Sequence, residues 1–182
     1  MTQNKIDKLL SITSEVNSAF GRLNVEQLNW KPSQDKWSIA ECLQHLITSN
    51  ETYFPILDKL ALGYTPSFWE KYNPFSRSIG RSMVNTLGIK ISKKFKSPKI
   101  FKPKETKYSQ SILQNFSDHQ EILMDKMNQL KRLDGKKIIL SSPVSPLITL
   151  PLSDCLEVLS THEERHLNQA KNIMALSAFP KL

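Results

Sequence analysis

The chain has 182 residues, the size of one compact domain, and its 39% hydrophobic and 23% charged residues exclude a disordered chain. Its five glycines form no phosphate-cradling run of the G-x-x-x-x-G-K-[ST] or G-x-G-x-x-G type, which removes the common nucleotide-binding motifs. The net charge of +8 is regional: residues 71–107 hold eleven Lys or Arg against one acid, Glu105, and the rest of the chain is slightly acidic.

The N-terminus has no apolar stretch behind a basic start, and no run of about 18 apolar residues occurs, so a soluble, cytoplasmic protein is expected. Four segments read as long amphipathic helices, and none shows the sustained alternation of a strand, which predicts an all-α fold. The first helix is expected from about Asn4 to Leu23, with Ile6, Leu9, Leu10, Val16 and Phe20 on one stripe. Leu28 to Trp37 reads as a connecting loop pinned by Trp30 and Trp37. Ser38 and Glu41 form a capping box, opening a second helix that runs to about Leu62. Residues 62–104 form a long basic excursion punctuated by Pro66, Pro74, Pro98 and Pro103, with room for a short basic helix between Phe75 and Phe95. The third helix runs from Glu105 to about Leu133 and stops at Asp134 and Gly135. Pro143, Pro146 and Pro151 fill the next connection, and the last helix runs from Leu152 or Ser153 to about Leu176. The pattern predicts a single domain over 1–182, an up-down four-helix bundle with its long excursion between helices 2 and 3.

His162 and His166 are spaced i, i+4, one turn apart on one helix face, the spacing that lets two imidazoles share a metal. At about 100° per residue both fall within the apolar arc of Cys155, Leu156, Leu159, Leu167 and Ala170, so they point into the bundle. Catalytic zinc sites use three protein ligands and keep one position open, and His45, one turn after Cys42 on the second helix, is the natural third. His119, on the apolar stripe of the third helix, reads as a buried hydrogen-bonded histidine, with a fourth ligand or an acid–base group as the alternative. Glu163 falls in the inward arc, where it could orient a ligand imidazole or a metal-bound water; the alternative is a helix glutamate paired with a base. Arg165 and Gln169 flank the pair and read as holding the helix. Cys42 and Cys155 match no disulfide or C-x-x-C pattern and read as inert, buried hydrophobes.

The run Trp37-Ser38-Ile39-Ala40-Glu41-Cys42-Leu43-Gln44-His45-Leu46, with the distant His162-Glu163-Glu164-Arg165-His166-Leu167-Asn168-Gln169-Ala170, resembles the DinB-like superfamily. There a W-[ST]-x₅₋₇-H-[LIV] element opens the second helix of a four-helix bundle and an H-x₃-H-x₂-Q element lies in the fourth. The resemblance covers essentially the whole chain. It implies that His45, His162 and His166 bind a divalent metal such as zinc, nickel or iron. It also implies a metal-dependent enzyme acting on a small molecule, of the thiol S-transferase or hydrolase type. A low-molecular-weight thiol such as bacillithiol or mycothiol is the implied cofactor. The alternative is a non-enzymatic, stress-related binding module with a structural metal or none.

Lys90, Lys93, Lys94, Lys96, Lys99, Lys102, Lys104 and Lys107 alternate with Ile91, Phe95, Ile100 and Phe101 at the end of the excursion. The expectation is a solvated loop near the mouth of the site that attracts an anionic substrate, with neither nucleic acid nor a membrane as partner. Phe68, Trp69, Tyr72 and Phe75 are expected to pair two copies in a homodimer, a state the resemblance also implies; the alternative is that they form a lid over the metal within one chain.

Overall fold

The computed structural model describes residues 2–87, 99–103 and 105–181. Helix α1 (Thr2–Phe20) buries Ile6, Leu9, Ile12, Val16 and Phe20 at steps of three or four, the stripe an amphipathic helix turns to a core. A short α2 (Val25–Asn29) follows, opened by a reciprocal capping box between Asn24 and Gln27. Helix α3 (Ile39–Glu51) starts as expected: the Ser38 hydroxyl accepts from the Glu41 amide, and the Glu41 carboxylate accepts from the Ser38 amide.

The second helix does not run unbroken to Leu62. Pro55 has no amide proton, and its ring would strike the carbonyl of Glu51, so α3 ends there. Helix α4 (Phe54–Ala61) begins afresh with Pro55 in its first turn, where proline is tolerated. The excursion is also more ordered than expected. It holds α5 (Phe68–Tyr72), α6 (Ser76–Leu87) and a 3₁₀ turn at Lys99–Phe101. The short basic helix is thus present as α6 as far as Leu87; Lys90, Lys93, Lys94, Lys96 and Lys104 lie outside the described residues.

Helix α7 (Ile112–Gln129) is shorter at both ends than the expected span from Glu105 to Leu133. Tyr108 exchanges two 2.8 Å bonds with the Asn29 side chain, through its amide and its carbonyl, which holds that backbone out of the helix. The connection before the last helix is a β-hairpin of β1 (Ile139–Ser142) and β2 (Ser145–Pro151), a departure from the all-helical expectation. Its prolines avoid the regular ladder: Pro143 is in the turn, Pro146 falls where the register slips between Ser141 and Ser142, and Pro151 ends β2. Leu140 and Leu150 face each other and are fully buried.

Helix α8 (Leu152–Met174) completes a mostly helical fold. Helices α1 and α3 each pack on both α7 and α8, so the four long helices enclose one another in a ring. One apolar cluster gathers Val16, Phe20, Leu43, Leu46 and Phe116; a second gathers Leu9, Leu57, Leu123, Met127, Leu150 and Leu156. Helix α6 lies on α8 and β2 through Gly80, where an added Cβ would sit 2.5 Å from Asp154 Oδ2 and 3.0 Å from Pro151 Cδ. Among the described residues no helix is long and apolar enough to cross a membrane.

Candidate metal centre

Helix α3 carries His45 almost two turns inside its capped end, and α8, packed against it, presents His162 and His166. The three imidazoles meet through the same ring atom. His45 Nε2 lies 3.3 Å from His162 Nε2, which lies 3.1 Å from His166 Nε2. Ligands 2.0–2.1 Å from a tetrahedral ion are themselves roughly 3.3 Å apart, so this spacing fits one ion.

The protonation pattern supports the same reading. His45 Nδ1 lies 2.6 Å from the carbonyl oxygen of Phe101, an acceptor only, so Nδ1 carries the proton and Nε2 offers its lone pair inward. His162 Nε2 faces both neighbours, and one N–H cannot point well at both. A cation held among the three nitrogens removes that conflict. Extra protons do not: burial, followed by repulsion from His45 and Arg165, pushes His162 down to about 3, and burial, followed by repulsion from His162, His45 and Arg165, pushes His166 well below its usual value. Burial also lowers His45, against the Phe101 bond, which raises it. Gln169 favours the charged form of His166, yet no bond of ordinary geometry reaches its buried Nδ1. The group could hold a metal ion; His45 and His166 are buried, and His162 keeps a partly exposed edge.

Trp37 walls the site, with its ring 4.6 Å from that of His45 and stacked at 5.6 Å on that of His166. Spacing alone predicts a loop-pinning Trp37, and the W-[ST] element of the family resemblance contains it, but neither assigns it this place against the imidazoles. The contribution of Phe101 is a backbone carbonyl, for which no side-chain signal exists. Arg165 donates to the carbonyl of Thr86 at 3.1 Å, fastening the end of α6 to α8 as the helix-holding reading expects.

Glu163 is fully buried, but its bonds run to other partners than the imidazoles. Its Oε1 accepts from Asn50 Nδ2 at 2.6 Å and Gln120 Nε2 at 2.8 Å, while Oε2 has no partner. Burial pushes this carboxyl up to about 7, and the two amide bonds offset only part of the rise. His119 is buried apart from the triad, stacked on Phe54 with its Nε2 3.3 Å from Asn50 Nδ2, and burial lowers it to about 4. Asn50 and Gln120 went unnoticed in the sequence. Gln120 nonetheless lies on the apolar stripe, four residues after Phe116 and three before Leu123, which is the available signal for a buried polar group. Cys42 and Cys155 are buried outside the metal cluster; burial raises both thiols, that of Cys155 to about 12.

A helical domain with three convergent imidazoles on two facing helices defines the class. The sequence pattern of the DinB superfamily matches residues 9–170, and the chain belongs to that superfamily. No curated protein and no solved structure matches it.

Proposed function

We propose that the protein is a divalent-metal-dependent enzyme of the thiol S-transferase or hydrolase type, built as an up-down four-helix bundle, with the ion held by His45, His162 and His166. The observation that carries this reading is the meeting of one ring nitrogen from each of the three histidines within 4.8 Å, with Nδ1 of His45 committed to a carbonyl. When bound, zinc, nickel or iron supplies Lewis acidity that lowers the pKa of a thiol or water placed against it.

The chain's own residues do the rest. The Phe101 carbonyl fixes the tautomer of His45, and Trp37 keeps His45 and His166 oriented while excluding water from their side of the site. The partly exposed edge of His162 is the side from which a small molecule reaches the site. Lys102 is exposed next to Phe101 and suits a carboxylate-bearing thiol or an anionic substrate. Glu163 and His119 act from behind, through Asn50 and Gln120, on the packing of α3, α7 and α8, rather than on substrate.

The burial of His45 and His166 favours a second reading, a non-enzymatic module in which the metal is structural. An assay of metal-loaded protein with a panel of low-molecular-weight thiols and electrophiles separates the two. Turnover that disappears on chelation and in His162→Ala supports the enzyme. No turnover with any pair, together with an ion that chelators remove only on unfolding, supports the module.

A further inference from the structure

Helix α5 is inverted. Its buried residue is the acid Glu70, while Phe68, Trp69 and Tyr72 face outward, 79%, 46% and 67% exposed. Polar side chains hold it that way. Glu70 Oε2 accepts from the Ser67 amide at 2.7 Å and the Tyr64 hydroxyl at 2.9 Å. Its Oε1 accepts from the Ser141 amide at 2.9 Å and the Ser141 hydroxyl at 3.0 Å, in β1. Asn73 donates to Thr149 Oγ1 at 2.7 Å and accepts from the Phe75 amide, and the Ser76 hydroxyl shares the same Thr149 oxygen. The aromatic rings therefore stand clear of a backbone fastened to the hairpin, with Phe75, 65% exposed, beside them in sequence. A surface that buries its carboxylate and exposes four rings is an interaction surface.

Its charge selects the partner. From Thr65 to Leu87 the sole acid is the inward Glu70, whereas Lys71, Arg77 and Arg81 are exposed, the two arginines one turn apart on the outer side of α6. A second copy docked here about a two-fold axis would bring these cations toward their own equivalents, with no exposed acid in the stretch to relieve them. An anionic partner is attracted instead. Rings exposed this far are knobs rather than walls of a groove, and they suit a soft interface in which aromatics settle at headgroup depth while Lys and Arg meet phosphates. Among the described residues the lid role lacks a contact in its favour: the ring against His45 and His166 there is that of Trp37.

Against the expectation that the excursion has no membrane partner, we propose that Phe68, Trp69, Tyr72 and Phe75, flanked by Lys71, Arg77 and Arg81, dock the protein reversibly on anionic lipid bilayers. Co-sedimentation of the full chain with vesicles of phosphatidylcholine and phosphatidylserine, at roughly 7:3, and of phosphatidylcholine alone tests this. Binding to the anionic vesicles should be at least about tenfold tighter and should weaken with salt. The triple variant Lys71→Glu, Arg77→Glu, Arg81→Glu should lose about a hundredfold, and Phe68→Ser with Phe75→Ser about tenfold, at unchanged circular dichroism. Trp69→Phe should abolish the vesicle-induced blue shift of tryptophan emission while still sedimenting. Absence of binding, or equal binding by both multiple variants and wild type, overturns the proposal. So does a doubled mass in light scattering that Phe68→Ser reverses, which gives the face to a second copy, or tighter binding to a single-stranded oligonucleotide than to the vesicles.

Discussion

Glu70 and Glu163 are buried glutamates whose surroundings push them in opposite directions. At Glu70 burial would raise the carboxyl, but bonds from Ser67, Tyr64 and Ser141 outweigh it and hold the group below the usual carboxylate range. At Glu163 burial dominates; both of its donors crowd onto one oxygen and leave the other bare, along with Asn50 Oδ1 and Gln120 Oε1. The same side chain is a fastening where backbone amides and hydroxyls supply donors to both oxygens. It is a store of unmet acceptors where two amides are its hydrogen-bond donors. The imidazole triad belongs with the second pattern, since its converging lone pairs have more need of a cation than of a hydrogen bond.

The largest consequence of that contrast is in ligand-linked stability. Zinc at about 1,000 times its Kd should stabilise the wild type by about 4 kcal/mol, or roughly 8–16 °C in Tm, and His45→Ala should lose the gain. Glu70→Ala should start from a lower Tm and keep the gain; an equal zinc response in His45→Ala would erase the distinction between the regions.

Glu70→Ala itself should cost about 3 kcal/mol, or roughly 6–12 °C, because donors from Tyr64, Ser67 and Ser141 lose their acceptor together. Thermal melts of metal-free protein measure this, and a loss within error would show that water replaces the carboxylate without penalty. The joint between the regions is Gly80, where α6 meets α8. Gly80→Ala should cost about 1–3 kcal/mol as Asp154 and Pro151 are pushed aside. Urea titration measures it, and no change would mean that the Asp154 side chain swings away freely.

The smallest effect is in pH. The Glu70 carboxyl is lowered on folding, so its contribution is present above its ordinary value of 4.5 and is lost as pH falls through the folded value. The stability difference between wild type and Glu70→Gln should therefore be level from about pH 6 to 8 and shrink below roughly 4.5. A difference that grows on acidification would reverse the assigned sign.

Much of the candidate site was legible in the sequence because helical spacing is rigid: a capping box placed His45 on α3, and an i, i+4 pair placed His162 and His166 on one face of α8. The Phe101 carbonyl was not legible, since a backbone acceptor leaves no trace in residue identity and reaches His45 across 56 positions. Pro55 carried the signal for the break after Glu51, but the apolar stripe continues through Leu57 and Leu60 on the far side and hid it. The hairpin escaped for a related reason: three prolines suggested a loop, although they occupy the turn, the slipped register and the strand end, where the ladder needs no regular donor. Inverted α5 defeats apolar patterning altogether, because its inward residue is an acid.

The proposal that His45, His162 and His166 hold one ion is tested most directly by elemental analysis of tag-free protein exposed to zinc and then desalted. Wild type should retain about one ion per chain and His162→Ala close to none, with circular dichroism unchanged. Equal metal content in the two proteins would contradict the assignment of these histidines as ligands.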